Sequence, residues 1–383
     1  MKIAINGTYI QEQATGLGIV NQNLISGLLN LKDEFDFTVY SYSDRVAYPE
    51  GNRLLVGANG HSSPPYKIVP VPKSISPDRG FSGHLKRFIW YNTSLKRQLK
   101  DTALFFSPVT EGILFPSVRQ IVVVHDLIPL KYPQFSPKWK YYYLYVLPLI
   151  LKQSERIICT SQHTKKDLIE NYQLDPELID VIYWGFDRQL FYPQPNTEIL
   201  KKYNLNKYLL YVGDMRFYKN LSRCLQAFDR LPDTDCQFVI TGKKDDFFYP
   251  EIKRQVQQLS AKERIIFLDY VPTADLPGLY SMAQALVFAS LYEGFGLPVL
   301  EAMACGTPVI ASDATSIPEV GGDSIFYVNP YSVESISQGM SRILKDLELQ
   351  KSLRNKGLER AELFSWDRTI ANVRQVFFNY LDR

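Results

Sequence analysis

Short unbroken apolar runs recur along the chain, each followed by a stretch with helical spacing. In the first half they include ALFF at 103–106 and RQIVVV at 119–124; in the second, YLLYVG at 208–213, ALVFA at 285–289 and PVIAS at 308–312. A strand that is apolar on both faces needs cover on both, which is the situation of a central strand in a parallel sheet flanked by helices. Further strand candidates lie at 3–6, 37–41, 53–56, 67–71, 156–160, 179–182, 236–242, 264–271 and 326–328. Helical spacing is read at 19–29, 82–99, 137–152, 164–170, 249–259, 274–283, 332–345 and 346–361, with a last helix after Ser365. A loop rich in Gly, Ser and Pro is expected at 57–80. Alternation in both halves predicts an α/β protein of two doubly wound domains. A length of 383 residues also suits two cores better than one. The linker is placed at 184–196, where turn residues mix with aromatic anchors.

Composition closes off several classes. A net charge of +3 is too small to argue for a nucleic-acid partner. Cys159, Cys224, Cys236 and Cys305 are far apart and form no CxxC pair, so neither a zinc nor a dithiol signature exists. Their apolar contexts predict buried free thiols and a reducing cytoplasm. The first ten residues read as a strand rather than a signal peptide, broken by Asn6-Gly7. No run of 18 apolar residues exists to span a membrane. The 82–99 helix carries Leu85, Phe88, Ile89 and Leu95 beside Lys86, Arg87, Lys96, Arg97 and Lys100. It is either a surface helix packed on its own domain or one that meets a membrane surface.

The densest chemistry lies in EGFGLPVLE, Glu293 to Glu301. Two glycines make a short loop, and Pro298 suits the first turn of a helix starting near Leu297. First-turn N–H groups without helical partners favour an anion or a polar sugar in front of them. An ordinary strand-loop-helix unit with solvated glutamates would read the same way. Two other strand ends are candidates. His125-Asp126 follows the RQIVVV strand, where an open α/β sheet places its ligands. Arg216 and Lys219 follow YLLYVG, where a fork and a point charge can hold a diphosphate; a solvated loop is the alternative. Gly16-Leu17-Gly18 after the first strand is either a phosphate-approaching turn or a plain one.

These pieces, TGLG near the start, VVVHDLIPL at 122–130, YVGDMRFYKN at 211–220, VITGKK at 238–243 and SLYEGFGLPVLEAMACGTPVIASD at 290–313, resemble glycosyltransferase family 4. The resemblance covers nearly the whole chain, and the HDLIPL form is similar to the bacterial subgroup that builds O-antigens and exopolysaccharides. It implies the GT-B fold: two facing Rossmann-like domains with the cleft between them. By that likeness 1–185 is the acceptor-side domain, 186–365 the nucleotide-sugar domain, and 366–383 a C-terminal helix that crosses back to the first. Glu301 matches the residue that binds the nucleotide ribose, and Glu293 the one beside the transferred sugar. Phe295, Gly296 and Leu297 match a stretch whose N–H groups reach sugar hydroxyls and phosphate. Lys219 and Arg216 match the cations of the diphosphate, Gly18 an N-terminal glycine facing the phosphates, and His125 a histidine near the sugar's hydroxymethyl end. Tyr270 and Val271 lie where the backbone grips the base.

The resemblance implies a retaining hexosyltransferase with a nucleotide-diphosphate sugar as donor, UDP-glucose slightly ahead of GDP-mannose. The acceptor is a glycan or a lipid-linked saccharide, and the enzyme is cytoplasmic, with peripheral contact at the inner membrane face as a further expectation. No metal and no other cofactor is expected: no acidic Asp-x-Asp site is read, and Asp245-Asp246 is only an adjacent pair in a loop. Two alternatives stay open: a nucleotide-sugar 2-epimerase of the same fold, and a non-catalytic sugar-nucleotide-binding protein.

Overall fold

The computed structural model describes residues 1–10, 16–31, 33–42, 66–232, 235–268 and 271–381. The chain divides into two compact units, Met1–Gly185 with Trp366–Arg383, and Phe186–Ser365.

The first unit is built on seven parallel strands: β1 (Lys2–Asn6), β2 (Asp36–Ser41), β3 (Lys67–Pro70), β4 (Leu104–Ser107), β5 (Arg119–Val124), β6 (Arg156–Cys159) and β7 (Ile179–Val181). Their order is β3-β2-β1-β4-β5-β6-β7. The apolar runs at 103–106 and 119–124 are its central strands, and every residue from Ile121 to Val124 is fully buried. The second unit holds six parallel strands: β8 (Tyr208–Val212), β9 (Gln237–Thr241), β10 (Ile265–Phe267), β11 (Ala285–Phe288), β12 (Val309–Ser312) and β13 (Phe326–Val328). Their order is β10-β9-β8-β11-β12-β13. Each sheet therefore runs outward one way through its first three strands and then reverses. The reversal falls between β1 and β4 in the first unit, and between β8 and β11 in the second. Such a reversal opens a crevice at the carboxyl ends of the strands, where open α/β sheets bind ligands.

The last helix, Trp366–Leu381, belongs to the first unit. Phe377 seats its ring on Phe35 and Phe106, and Thr369 donates to the Tyr183 carbonyl at 2.8 Å.

Several local readings are corrected. Gly16-Leu17-Gly18 does not form a loop: the helix begins at Gly16 and runs to Leu29. The helix read over 82–99 starts at Gly80, and a wider turn at Tyr91–Leu95 separates Gly80–Trp90 from Lys96–Gln98. Arg87, one of the positive charges read on that helix, is buried, as is His84. A short helix, Thr197–Tyr203, directly follows the linker placed at 184–196, and Asn196 caps it by accepting from the Glu198 N–H. The strand read at 53–56 and residues 57–65 of the expected loop lie outside the described residues, as does Tyr270. All four cysteines are free and buried.

Candidate functional site

In the second unit Lys219 follows β8 and Glu293 follows β11, so the two strands flanking the reversal bring together residues 74 positions apart. Lys219 closes a single helical turn, Phe217–Lys219. Its Nζ lies 2.8 and 2.9 Å from the two carboxylate oxygens of Glu293, and within 6 Å of the Phe288 and Tyr218 ring centres, at 5.5 and 5.8 Å. Burial works against the ammonium, but the Glu293 carboxylate, with Asp214 behind it, outweighs burial and raises the Lys219 pKa above its ordinary value. Lys219 is therefore charged at any physiological pH.

Asn220 holds that turn. Its backbone is left-handed, with φ 61°, a conformation asparagine tolerates. Its side-chain amide donates to the carbonyls of Ala289 at 2.8 Å and Pro330 at 2.7 Å, while its oxygen accepts from Arg223 at 2.9 Å. One buried side chain thus ties the Lys219 turn to the ends of β11 and β13. Arg216 is not in the Lys219–Glu293 pair. It donates to the Tyr218 hydroxyl at 2.9 Å and pairs with Asp214 at 3.3 Å, its side chain half exposed.

Glu293 opens the loop that leads to the helix Leu297–Ala304. Gly296 sits at φ 113°, a conformation only glycine adopts without strain, and no side chain caps the helix it precedes. Pro298 lies in the first turn, where its missing N–H costs nothing. Phe295 is buried against Phe364, ring centres 6.0 Å apart. Glu301, inside the helix, accepts a 2.9 Å hydrogen bond from the Tyr280 hydroxyl. Burial pushes the Glu301 carboxyl up to about 7, with the Tyr280 bond acting the other way. Val271 is buried just beyond β10.

His125 and Gly18 belong to the first unit. His125 follows β5; its Nε2 lies 2.9 Å from the Pro108 carbonyl, and its ring faces Trp184 at 5.8 Å. Burial lowers its pKa to about 4 against the pull of that carbonyl, so the ring is neutral. A carbonyl can only accept, which puts the proton on Nε2 and leaves Nδ1 with a lone pair. Gly18 is buried in the first turn of its helix, where N–H groups have no helical acceptor.

The reversal of the first sheet is occupied by the chain itself. Glu111, after β4, accepts from Arg87 Nε at 2.9 Å and Nη2 at 2.8 Å, and from the hydroxyls of Tyr9 at 2.8 Å and Tyr91 at 3.1 Å. His84 Nδ1 adds a contact at 2.7 Å. Burial alone would raise the Glu111 carboxyl; the Arg87 and His84 hydrogen bonds reverse this and hold it well below the usual carboxylate range. Four side chains making five contacts to one buried carboxylate lock the loops after β1 and β4 to the helix Gly80–Trp90 and the turn that follows it.

Tyr280, Thr315 and Ser316 touch the proposed site residues and Asn220 holds the Lys219 turn, and none of the four is marked as a site residue by the sequence. Asn220 was legible in principle, as an asparagine directly before a helix. Among the described residues no group of three or more His, Cys, Asp or Glu side chains could hold a metal ion. The chain does contain one Asp-x-Asp string, at 233–235, ahead of β9 rather than after it, with 233 and 234 outside the described residues.

Residues 14–190 match the model described as Glycosyltransferase Family 4, and residues 195–360 the model described as Glycosyl transferases group 1. The O-antigen chain mannosyltransferase B of Escherichia coli is 33% identical over 96% of this chain and 97% of its own length. The O-antigen chain mannosyltransferase RfbU of Salmonella typhimurium is 29% identical over 73% of this chain and 76% of its own. Among solved structures, a sucrose-phosphate synthase from Thermosynechococcus elongatus superposes with a TM-score of 0.74 at 22% identity, covering 99% of this chain and 98% of that one. HepE of Anabaena, solved with UDP and glucose, gives 0.73 at 17% identity over 99% and 100%. Those two likenesses bear on the fold.

Proposed function

The chain belongs to glycosyltransferase family 4, and from that membership we propose that it transfers a hexose, with retention of configuration, to a glycan or lipid-linked saccharide during O-antigen or related polysaccharide synthesis. The observation that carries this reading is the Lys219–Glu293 pair at the sheet reversal, beside the uncapped start of the helix Leu297–Ala304. The full-length relative named as an O-antigen mannosyltransferase supports mannose, hence GDP-mannose, as the first donor to test. UDP-glucose is the second.

In this reading Lys219, Arg216 and the helix start, through Gly296 and Leu297, take the charge that develops on the leaving diphosphate. Glu293 lies beside the anomeric carbon and stabilises the oxocarbenium-like sugar. Glu301 accepts from the ribose hydroxyls, Val271 and Tyr270 offer backbone to the base, Phe295 helps fix the loop, and Gly18 offers an N–H to phosphate. His125, neutral and protonated on Nε2, offers Nδ1 to a sugar hydroxyl. The bond from the anomeric carbon to the phosphate oxygen breaks, the acceptor oxygen bonds on the same face, and the acceptor's proton passes to the leaving phosphate. No metal takes part.

The test is release of GDP or UDP from GDP-mannose or UDP-glucose, with and without a lipid-linked saccharide acceptor. Glu293→Ala is expected to lower kcat by about a thousand-fold, whereas Lys219→Ala and Glu301→Ala mainly raise the donor KM. A chelator leaves the rate intact. Full transfer by Glu293→Ala, rescue of a chelated enzyme by Mg²⁺ alone, or release of an epimer without acceptor would each overturn the corresponding part.

A further inference from the structure

Three consecutive residues after β12 each engage the Glu293 loop. Thr315 Oγ1 accepts from the Glu293 N–H at 3.1 Å. The Ser316 hydroxyl, fully buried, lies 3.0 Å from the Glu293 carbonyl and 2.9 Å from that of Phe295, so it donates between them. Ile317 puts its Cδ1 2.7 Å from where a Cβ on Gly296 would stand. The loop lies between a strand and a helix, and these contacts help to set its path.

Thr315 also sits where a threonine does not belong on local grounds. Its φ is 57°, a left-handed conformation that a β-branched residue adopts only when its surroundings impose it. Glycine or asparagine would hold that turn without strain. The strained residue is the one whose hydroxyl oxygen the Glu293 N–H uses.

The Glu293 side chain is held differently, by Lys219. A donor diphosphate would compete for that ammonium. Once it does, the backbone bonds from Thr315 and Ser316 are what still aim the carboxylate. We propose that Thr315 and Ser316 are positioning residues that keep Glu293 at the anomeric carbon while Lys219 turns to the diphosphate. This rests on the role given to Glu293 above.

The experiment uses the full chain with GDP-mannose and UDP-glucose, and measures kcat, donor KM, and GDP and UDP binding by calorimetry. Thr315→Gly removes both the strain and the hydroxyl, Thr315→Ser keeps the hydroxyl, Ser316→Ala removes two contacts, and Glu293→Ala runs alongside. Thr315→Gly and Ser316→Ala should lower kcat by about ten- to a hundred-fold, as expected for a displaced catalytic group, with nucleotide affinity within about twofold on the same grounds. Thr315→Ser should recover most of the rate. Because Thr315→Gly relieves the backbone, its thermal midpoint should not fall, which separates lost position from lost fold even if Ser316→Ala misfolds. Wild-type kcat in Thr315→Gly, or an equal loss of nucleotide affinity, overturns the proposal while an inactive Glu293→Ala leaves the role of Glu293 standing. Wild-type turnover in Glu293→Ala overturns that role instead, and the positioning proposal with it.

Discussion

Glu301 is the carboxylate whose surroundings give it a pH signature within reach of experiment. Burial raises its pKa to about 7, and the Tyr280 hydroxyl only partly offsets that. A raised acid favours its neutral form in the fold. Its contribution to stability is therefore complete below the unfolded value near ~4.3 and is lost as pH rises through about 7. Glu301→Gln never ionises. Between pH 5 and pH 8 its thermal midpoint should gain on the wild type by roughly 2–4 °C. An unchanged gap at the two pH values would show that Glu301 is not held neutral. In the proposed role Glu301 accepts from the ribose hydroxyls, so the wild-type donor KM should fall over the same window as the carboxylate forms. The burial responsible, and the Tyr280 hydroxyl that partly offsets it, carry no mark in the sequence around Glu301.

At the scale of elements, the helices show how much spacing reveals and where it misleads. On the run after Gly80, Gly83, Arg87, Tyr91, Leu95 and Leu99 are buried at four-residue intervals, with His84 buried beside the first. A regular helix repeating every 3.6 residues would carry such a series round its surface. The wider turn at Tyr91–Leu95 absorbs the drift and keeps Tyr91 on Glu111. The spacing is legible in the sequence, where it predicts only an ordinary amphipathic face. Between the helices Gly16–Leu29 and Trp366–Leu381, close approach depends on one residue: a Cβ on Gly27 would lie 2.6 Å from Ile370 Cγ1. Gly27→Leu should cost about 1–3 kcal/mol through overpacking and expose the C-terminal helix. A lower urea midpoint with faster proteolysis near residue 366 is the expected result; an unchanged midpoint would mean the two helices yield without cost.

The two units share one strand order but use the reversal in opposite ways. In the second it holds the Lys219–Glu293 pair; in the first it is closed by Arg87, Glu111 and their partners. With Arg87 inside, it is not a surface cation, and the expected membrane contact needs a different basis. The first unit leaves Leu85, Ile89, Tyr141, Leu144, Tyr145 and Leu149 exposed on two helical runs joined by Phe81–Trp139 and His84–Trp139 ring contacts, with Lys86 and Lys138 exposed beside them. Among the described residues no helix is long and apolar enough to cross a membrane. Apolar side chains beside lysines suit the interface of an anionic bilayer. Co-sedimentation with anionic liposomes should fall several-fold in Leu85→Glu/Tyr145→Glu, and less in Lys86→Glu/Lys138→Glu. Equal sedimentation of all variants would remove the membrane from the account.

The sequence by itself determined what depends on near neighbours. Unbroken apolar runs mark strands covered on both faces, and Gly296-Leu297-Pro298 marks a helix start. The cation-bearing turn after β8 and the acidic loop after β11 were visible as separate motifs. Tertiary structure decided which of them meet. Lys219 finds Glu293 because β8 and β11 are neighbours in the sheet although β9 and β10 lie between them in the chain. Arg87 reads as a solvated charge until the fold delivers Glu111 from 24 residues away. Thr315 and Ser316 read as a turn until β12 settles beside β11 and brings them to the Glu293 loop. The reason is physical: periodicity and capping act within a few residues, whereas strand order, which sets every one of these meetings, leaves no periodic trace along the chain.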